Sequence, residues 1–404
     1  MSSAKHQSSS GLVTLFFDLE VTGHHVEYIS HLIRYGFHYA SSPGKFIFVL
    51  HPSTLECLTD FNLPEGWFES SAIEVPSEKE LQLLEKKQLT IKRANTELKI
   101  AKRIGDKYQI DNCCLMSLNR FQLALGGRLG KSFSASIRGI LFNPIGNTGA
   151  PLHDSLSGPR KRGQIRWMLR NNKINRIFLL NHEAKVTALN KYVKKENLFK
   201  SLPDPVLPTV SPGIHSVAAI GGNSNRVKFL LFGSLTKRKG VFTLLDALQV
   251  LPISASAYIE VVFAGKLAKE IRKPFFAQLK RIKRNKADLT LTVIDKCLSN
   301  GEMANLFSRV DCILAPYIGS QASSGILGHA AFYKKPIIGP DSGLIGKLIK
   351  GYQLGLAIRP MCAQTLSEAI IEVLDESSLQ LSTRGMELYV HERHPDRFVQ
   401  TLLE

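Results

Sequence analysis

Val227-Lys-Phe-Leu-Leu-Phe-Gly-Ser-Leu-Thr-Lys-Arg-Lys-Gly-Val241 is the stretch on which the fold turns. Val227 to Phe232 reads as a strand buried on both faces, because Val, Phe and Leu follow one another without polar alternation. Gly233 breaks the strand and permits a tight turn. Lys237, Arg238 and Lys239 then crowd the mouth of the next helix, with Gly240 closing the loop. Open α/β sheets bind anions beyond the carboxyl ends of their strands, where glycine turns expose backbone N–H groups beside a helix start. A diphosphate suits Gly233, Ser234, Lys237, Arg238 and Lys239; a solvated basic loop is the plainer reading of the same residues.

Outward from this segment the pattern repeats. Towards the C-terminus, strand candidates Tyr258 to Ala264, Leu289 to Ile294, Asp311 to Ala315, Pro336 to Ile338 and Leu356 to Ile358 alternate with helical windows. Towards the N-terminus, Leu12 to Phe17, Lys45 to Leu50, Cys113 to Ser117 and Arg176 to Leu180 are strand candidates, and Ser77 to Lys107 reads as helical and charged. Strands alternating with helices predict an α/β fold of two Rossmann-like domains. The proline-rich run Leu202-Pro-Asp-Pro-Val-Leu-Pro-Thr-Val-Ser-Pro212 cannot be a helix and marks the boundary. The expected divisions are a disordered tail over 1–10, a first domain over 11–200, a linker over 201–225, a second domain over 226–380, and a C-terminal helix over 381–404 that packs back on the first domain.

The chain has 404 residues, 44% apolar and 21% charged, which is the balance of a globular protein too long for one core. Lys and Arg number 52 against 34 Asp and Glu, a net charge of +18, so an anionic partner is expected: a phosphorylated small molecule, a nucleic acid or an acidic membrane face. No apolar run approaches the roughly 18 residues of a spanning helix, and the first residues lack a signal-peptide core, so a cytoplasmic protein is expected. The six cysteines show no Cys-x-x-Cys pairing and stand apart from the histidines, which predicts reduced thiols and no structural metal. Gly126 to Ser132 imitates a phosphate-binding P-loop, but Leu125 occupies the place of its first glycine. Asp18-Leu-Glu20 ends the first strand with two carboxylates, a metal-holding pattern in single-domain (GT-A) glycosyltransferases that comes too early in this chain. Arg160-Lys-Arg-Gly-Gln-Ile-Arg-Trp-Met-Leu-Arg170 sets Trp167, Met168 and Leu169 among cations, a pattern suited to peripheral contact with an anionic membrane. No aromatic platform or recognisable motif for nucleic acid accompanies the charge, so no nucleic-acid partner is expected.

A second helix start follows the strand candidate Asp311 to Ala315. There Gln321-Ala-Ser-Ser-Gly325 supplies hydroxyls and small residues, which suit N-capping or phosphate binding. The order of Phe232 to Val241, Val261-Val-Phe-Ala-Gly265, Gly301 to Pro316 and Gln321 to Ile349 resembles the donor domain of retaining glycosyltransferases of the two-Rossmann-domain (GT-B) type, family 4. The resemblance implies two domains facing each other across a cleft. It implies transfer of a sugar from a nucleoside-diphosphate donor to an acceptor hydroxyl on a glycan, lipid or small molecule, with retention, no metal and no separate cofactor. Such activity belongs to polysaccharide or glycolipid biosynthesis. It casts Lys239 as the diphosphate anchor, Gln321 as the group orienting the sugar and His329 as the ribose contact, with Ser323, Ser324 and Gly325 at the phosphate. Gly23 and His24, after the first strand, resemble the glycine turn that closes the site from the first domain. The chain departs from the family at Ser234, where an arginine is usual, and at Gln321 and His329, where glutamates are usual. A nucleotide-sugar-binding subunit of reduced activity is therefore the alternative, and a nucleic-acid-binding protein the rival from another class.

Overall fold

The computed structural model describes residues 11–21, 24–39, 45–59, 61, 63–64, 71–85, 89–142, 159–206, 226–319, 324–375 and 382–404. They divide into two compact units, one holding residues up to 203 together with 395–404, the other 204–394. In the first unit β1 (Thr14–Asp18), β2 (Phe46–Leu50), β3 (Ser71–Glu74), β4 (Asn112–Leu115), β5 (Ser136–Ile140), β6 (Ile174–Leu180) and β7 (Phe199–Leu202) form one parallel sheet in the order β3-β2-β1-β4-β5-β6-β7. In the second, β8 (Val227–Phe232), β9 (Ile259–Ala264), β10 (Thr290–Ile294), β11 (Cys312–Leu314), β12 (Ile337–Pro340) and β13 (Gly355–Ile358) form another, ordered β10-β9-β8-β11-β12-β13. Both orders reverse beside their first strand, which makes each sheet doubly wound with a switch point there.

Unbroken apolar strands follow from burial on both faces. On β1, Leu15 and Phe17 join one core cluster while Phe16 joins another across the sheet. On β8, Phe229 and Leu231 face one cluster and Leu230 the other. Each such side chain stabilises the fold by about 1.5–3 kcal/mol on burial. The sheet therefore has no wet face, and only its carboxyl edge is left for polar chemistry.

Three strands carry no clear signal in the sequence. β3, β5 and β7 contain Glu74, Arg138 and Lys200, which interrupt apolar continuity. Arg138 is buried, and its guanidinium donates to the carbonyls of Leu402 and Leu403 and to Asn112 Oδ1. The strand tolerates the cation because helix-end carbonyls from the far end of the chain satisfy it. β7 runs through Leu202, so the stretch read as linker begins inside a strand; residues 207–225 of that stretch and the tail 1–10 lie outside the described residues. The segment read as one C-terminal helix is two, Thr383–Glu392 and Pro395–Leu403, with Pro395 opening the second. The first belongs to the second unit. The other packs on the helix His25–Tyr39 of the first unit, where Phe398 meets Tyr28 at 4.9 Å.

Within the first unit Glu97 is fully buried between Arg93 at 3.0 Å and Arg120 at 3.2 Å. Burial raises its carboxyl pKa against the pull of both arginines. Folding thus favours the protonated form, and the stability this contributes is fully present below the unfolded value near 4.5 and lost as pH rises through the folded one. Glu97→Gln puts a neutral amide in the place of the acid, so wild-type stability relative to this variant, followed by urea melts, is expected to fall from about pH 4 towards neutrality. A difference independent of pH would contradict this.

Candidate functional site

The switch point of the second sheet lies between β8 and β11. Two loops leave the carboxyl edge there, Gly233 to Gly240 after β8 and Ala315 to Gly319 after β11. Gly233 sits at φ +108 and donates its N–H to the Ala264 carbonyl at 2.9 Å, which turns the chain sharply off the strand. Thr236 caps the single 3-10 turn Lys237–Lys239 with its side-chain oxygen. Gly240 follows at φ +75, and a Cβ there would lie 1.8 Å from the Pro316 carbonyl oxygen. The Ile318 N–H donates to the Arg238 carbonyl at 3.0 Å. The two loops are thereby fixed against each other, backbone to backbone.

This arrangement selects one of the three cations. Lys237 and Arg238 are exposed, whereas Lys239 turns inward. Its Nζ donates to the Tyr317 hydroxyl at 2.5 Å, lies 4.2 Å from the centre of that ring, and would lie 3.8 Å from a Cβ on Gly233. Ser324 Oγ donates to the same hydroxyl at 3.3 Å. An ammonium has no acceptor, so the Tyr317 oxygen receives both bonds and its own proton points elsewhere. Lys239, Tyr317 and Ser324 form a short line of donors, with the glycine turn beneath. Near a protein surface a unit charge at about 4 Å is worth about 4 kcal/mol, against about 1 kcal/mol in bulk water, so the sheltered Lys239 outweighs its exposed neighbours as an anion anchor.

The remaining expected residues divide as follows. Ser234 is exposed on the first loop. Gly325 is the N-cap of the helix Ile326–Phe332, directly after Ser324. His329, on that helix, packs its ring 5.1 Å from Phe307 and 6.5 Å from Phe232. Gly23, Gln321 and Ser323 lie outside the described residues. In the first unit His24 opens the helix His25–Tyr39, partly exposed and 3.9 Å from Glu27.

Asp18 and Glu20, read in the sequence as a strand-end pair, find partners that the sequence did not reveal at the first sheet's switch point, between β1 and β4. Asp18, buried at the end of β1, meets His25 Nδ1 at 2.7 Å and accepts the Glu20 N–H at 3.1 Å. Arg120, just beyond β4, pairs with Glu20, and Asn119 Oδ1 accepts the Phe142 N–H at 2.9 Å. The strand-end carboxylates thus hold neighbouring groups in place. Tyr317 was missed as well; its only signal is its place in the loop after β11, next to Pro316. Among the described residues no three His, Cys, Asp or Glu side chains cluster as a metal ion would need, and no described helix is long and apolar enough to cross a membrane.

No protein-family profile matches the chain, and no curated protein matches it by sequence. Solved structures do match over nearly its full length. Sucrose-phosphate synthase from Thermosynechococcus elongatus superimposes with a TM-score of 0.68 at 13% identity, covering 97% of each chain. An α,α-trehalose-phosphate synthase (UDP-forming) from Burkholderia vietnamiensis gives 0.66 at 10% identity over 97% of this chain and 98% of its own. HepE of Anabaena, in complex with UDP, gives 0.64 at 15% identity with the same coverage. The fold is GT-B. Its neighbours are GT-B glycosyltransferases, and the two parallel sheets are the two Rossmann-like halves of that architecture. Within the GT-B frame, Lys239, Tyr317 and Ser324 stand at the switch point of the second Rossmann-like half.

Proposed function

We propose that the chain transfers a sugar from a nucleoside-diphosphate sugar to an acceptor hydroxyl, with retention at the anomeric carbon. The observation that carries this reading is the shared hydroxyl of Tyr317, which draws the Lys239 ammonium and Ser324 to one point at the carboxyl edge of β8 and β11. Cleavage of the sugar–phosphate bond leaves positive charge on the sugar ring and negative charge on the departing diphosphate. Donors already oriented towards that oxygen lower the barrier because they need no reorganisation during the step. Lys239 supplies charge, and Tyr317 and Ser324 supply oriented dipoles. The start of the helix Ile326–Phe332 adds backbone N–H groups left without partners inside the helix. In this reading Gln321 orients the sugar and His329 faces the ribose, and no metal is assigned a role.

A thermal-shift screen of nucleoside diphosphates and their sugars, followed by a transfer assay with the stabilising donors, tests the reading directly. Stabilisation by none of them would remove it. Tyr317→Phe keeps the ring under Lys239 but deletes the bridging hydroxyl. It is expected to weaken diphosphate binding roughly fivefold, about 1 kcal/mol, in isothermal titration. Unchanged affinity would take Tyr317 out of the site.

The acceptor, in this reading, is a glycan or a lipid-linked sugar presented at an anionic membrane. Exposed Trp167 and Leu123 lie together on the first unit, joined by the Trp167 Nε1 bond to the Leu123 carbonyl at 2.8 Å, with the Arg170 guanidinium 5.2 Å from the indole centre. Tryptophan beside arginine suits the headgroup layer, where each cation adds about 1 kcal/mol. Cosedimentation with phosphatidylglycerol vesicles is expected to exceed that with phosphatidylcholine vesicles and to fall in Trp167→Ala and Arg170→Glu. Equal partition into both kinds of vesicle would refute the contact.

A further inference from the structure

We propose that the cavity at the carboxyl ends of β1 and β2 binds a neutral, hydroxyl-rich sugar ring through Glu20, His51, Glu85 and Arg93. Only the role given to that sugar, the acceptor, rests on the glycosyltransferase reading. The cavity measures about 290 Å³. Residues leaving β1 and β2 form its floor, the helix Glu78–Glu85 gives it Leu81, Leu84 and Glu85, and Arg93 enters from the first turn of the helix Thr90–Tyr108. Drug-sized ligands occupy roughly 300–1,000 Å³, so a cavity of this size suits a single ring.

Three polar groups of the lining, His51, Arg93 and Glu20, are held from behind. His51 Nδ1 accepts the Ser53 N–H at 3.2 Å, capping the helix Pro52–Leu58, so in the neutral ring the proton resides on Nε2, which donates. Arg93 commits its Nε to Glu97 at 3.0 Å, which leaves its terminal amino groups for other acceptors. Glu20 has one carboxylate oxygen held by Arg120, which also reaches the buried Glu97. Fixed donors and fixed acceptors thus stand beside leucine walls. A sugar hydroxyl both gives and accepts a hydrogen bond, and the ring's C–H faces match Leu81 and Leu84. Charge decides against an anionic ligand: the lining sets the two carboxylates of Glu20 and Glu85 against the one guanidinium of Arg93, an acidic spot in a chain of net charge +18. A phosphate would meet repulsion there.

Saturation-transfer NMR on the full chain, with the methyl glycosides of glucose, galactose, mannose and N-acetylglucosamine and with glucose 6-phosphate, tests this. At least one glycoside is expected to bind and the phosphate to give no transfer. His51→Asn keeps a helix cap but loses the Nε2 donor, and Glu85→Ala changes an exposed position. Each is expected to weaken the glycoside about five- to tenfold, while nucleoside-diphosphate affinity in the same samples stays at the wild-type value. Binding by no glycoside, binding by the phosphate alone, or undiminished binding in both variants overturns the proposal. Glycoside binding without any nucleoside-diphosphate affinity supports the cavity and removes the transferase reading, whereas the reverse result removes only the cavity.

Discussion

Replacing Lys239 with alanine is expected to lower affinity for nucleoside diphosphates roughly 30- to 150-fold, about 2–3 kcal/mol for a charge-assisted contact. The fold should persist, because the side chain lies at the sheet edge and the Tyr317 hydroxyl keeps its bond from Ser324. Lys237→Ala and Arg238→Ala change exposed cations and are expected to cost less than about threefold each. Isothermal titration of the three variants separates a single sheltered anchor from a diffuse basic patch. Equal losses in all three would favour the patch. Wild-type affinity and transfer in Lys239→Ala would refute the assignment. A wild type that binds nucleoside diphosphates through Lys239 yet transfers no sugar would be the binding subunit allowed by the departures at Ser234, Gln321 and His329.

The second large effect is structural. Gly240→Ala would place a methyl group 1.8 Å from the Pro316 carbonyl oxygen at a φ of +75. Neither partner is a flexible side chain, so a backbone must move. A cost of about 3 kcal/mol or more is expected, lowering the melting temperature of the second unit by about 6–12 °C. The displaced turn carries Lys239, so diphosphate affinity should fall even in the folded fraction. Gly351→Ala serves as the control: it lies in the helix Gly343–Tyr352 with nothing within 4 Å of its added Cβ, and helix propensity predicts a gain of up to about 1 kcal/mol. Calorimetric scans in which Gly240→Ala melts with wild type would show that the two loops are not locked as described.

The second half of the chain was legible strand by strand. Each candidate from Val227 onward overlaps one of β8 to β13, because strands buried on both faces must be apolar along their length and so advertise themselves locally. The first half was legible where the same condition held, at β1, β2, β4 and β6. It failed at β5, where the cation Arg138 finds its partners on Leu402, Leu403 and Asn112. A local pattern cannot report a debt settled from the other end of the chain. The site divides in the same way. Gly233, Lys239 and Ser324 could be read as strand-end or helix-start residues, whereas Tyr317 could not, since its value depends on β11 lying next to β8, and Tyr258 to Ala264 and Leu289 to Ile294 intervene in sequence.

The amino-acid sequence by itself determined that this protein is built of two α/β halves with parallel sheets and an anion-suited turn after β8, because apolar runs, glycines and prolines act over a few neighbouring residues. Only the tertiary structure decided which cation of Lys237-Arg-Lys239 turns inward and what it meets there. That choice is made by the close approach of Gly240 to Pro316 and the bond from Ile318 to Arg238. Both are contacts between loops distant in sequence, and the packing order of the strands brings them together.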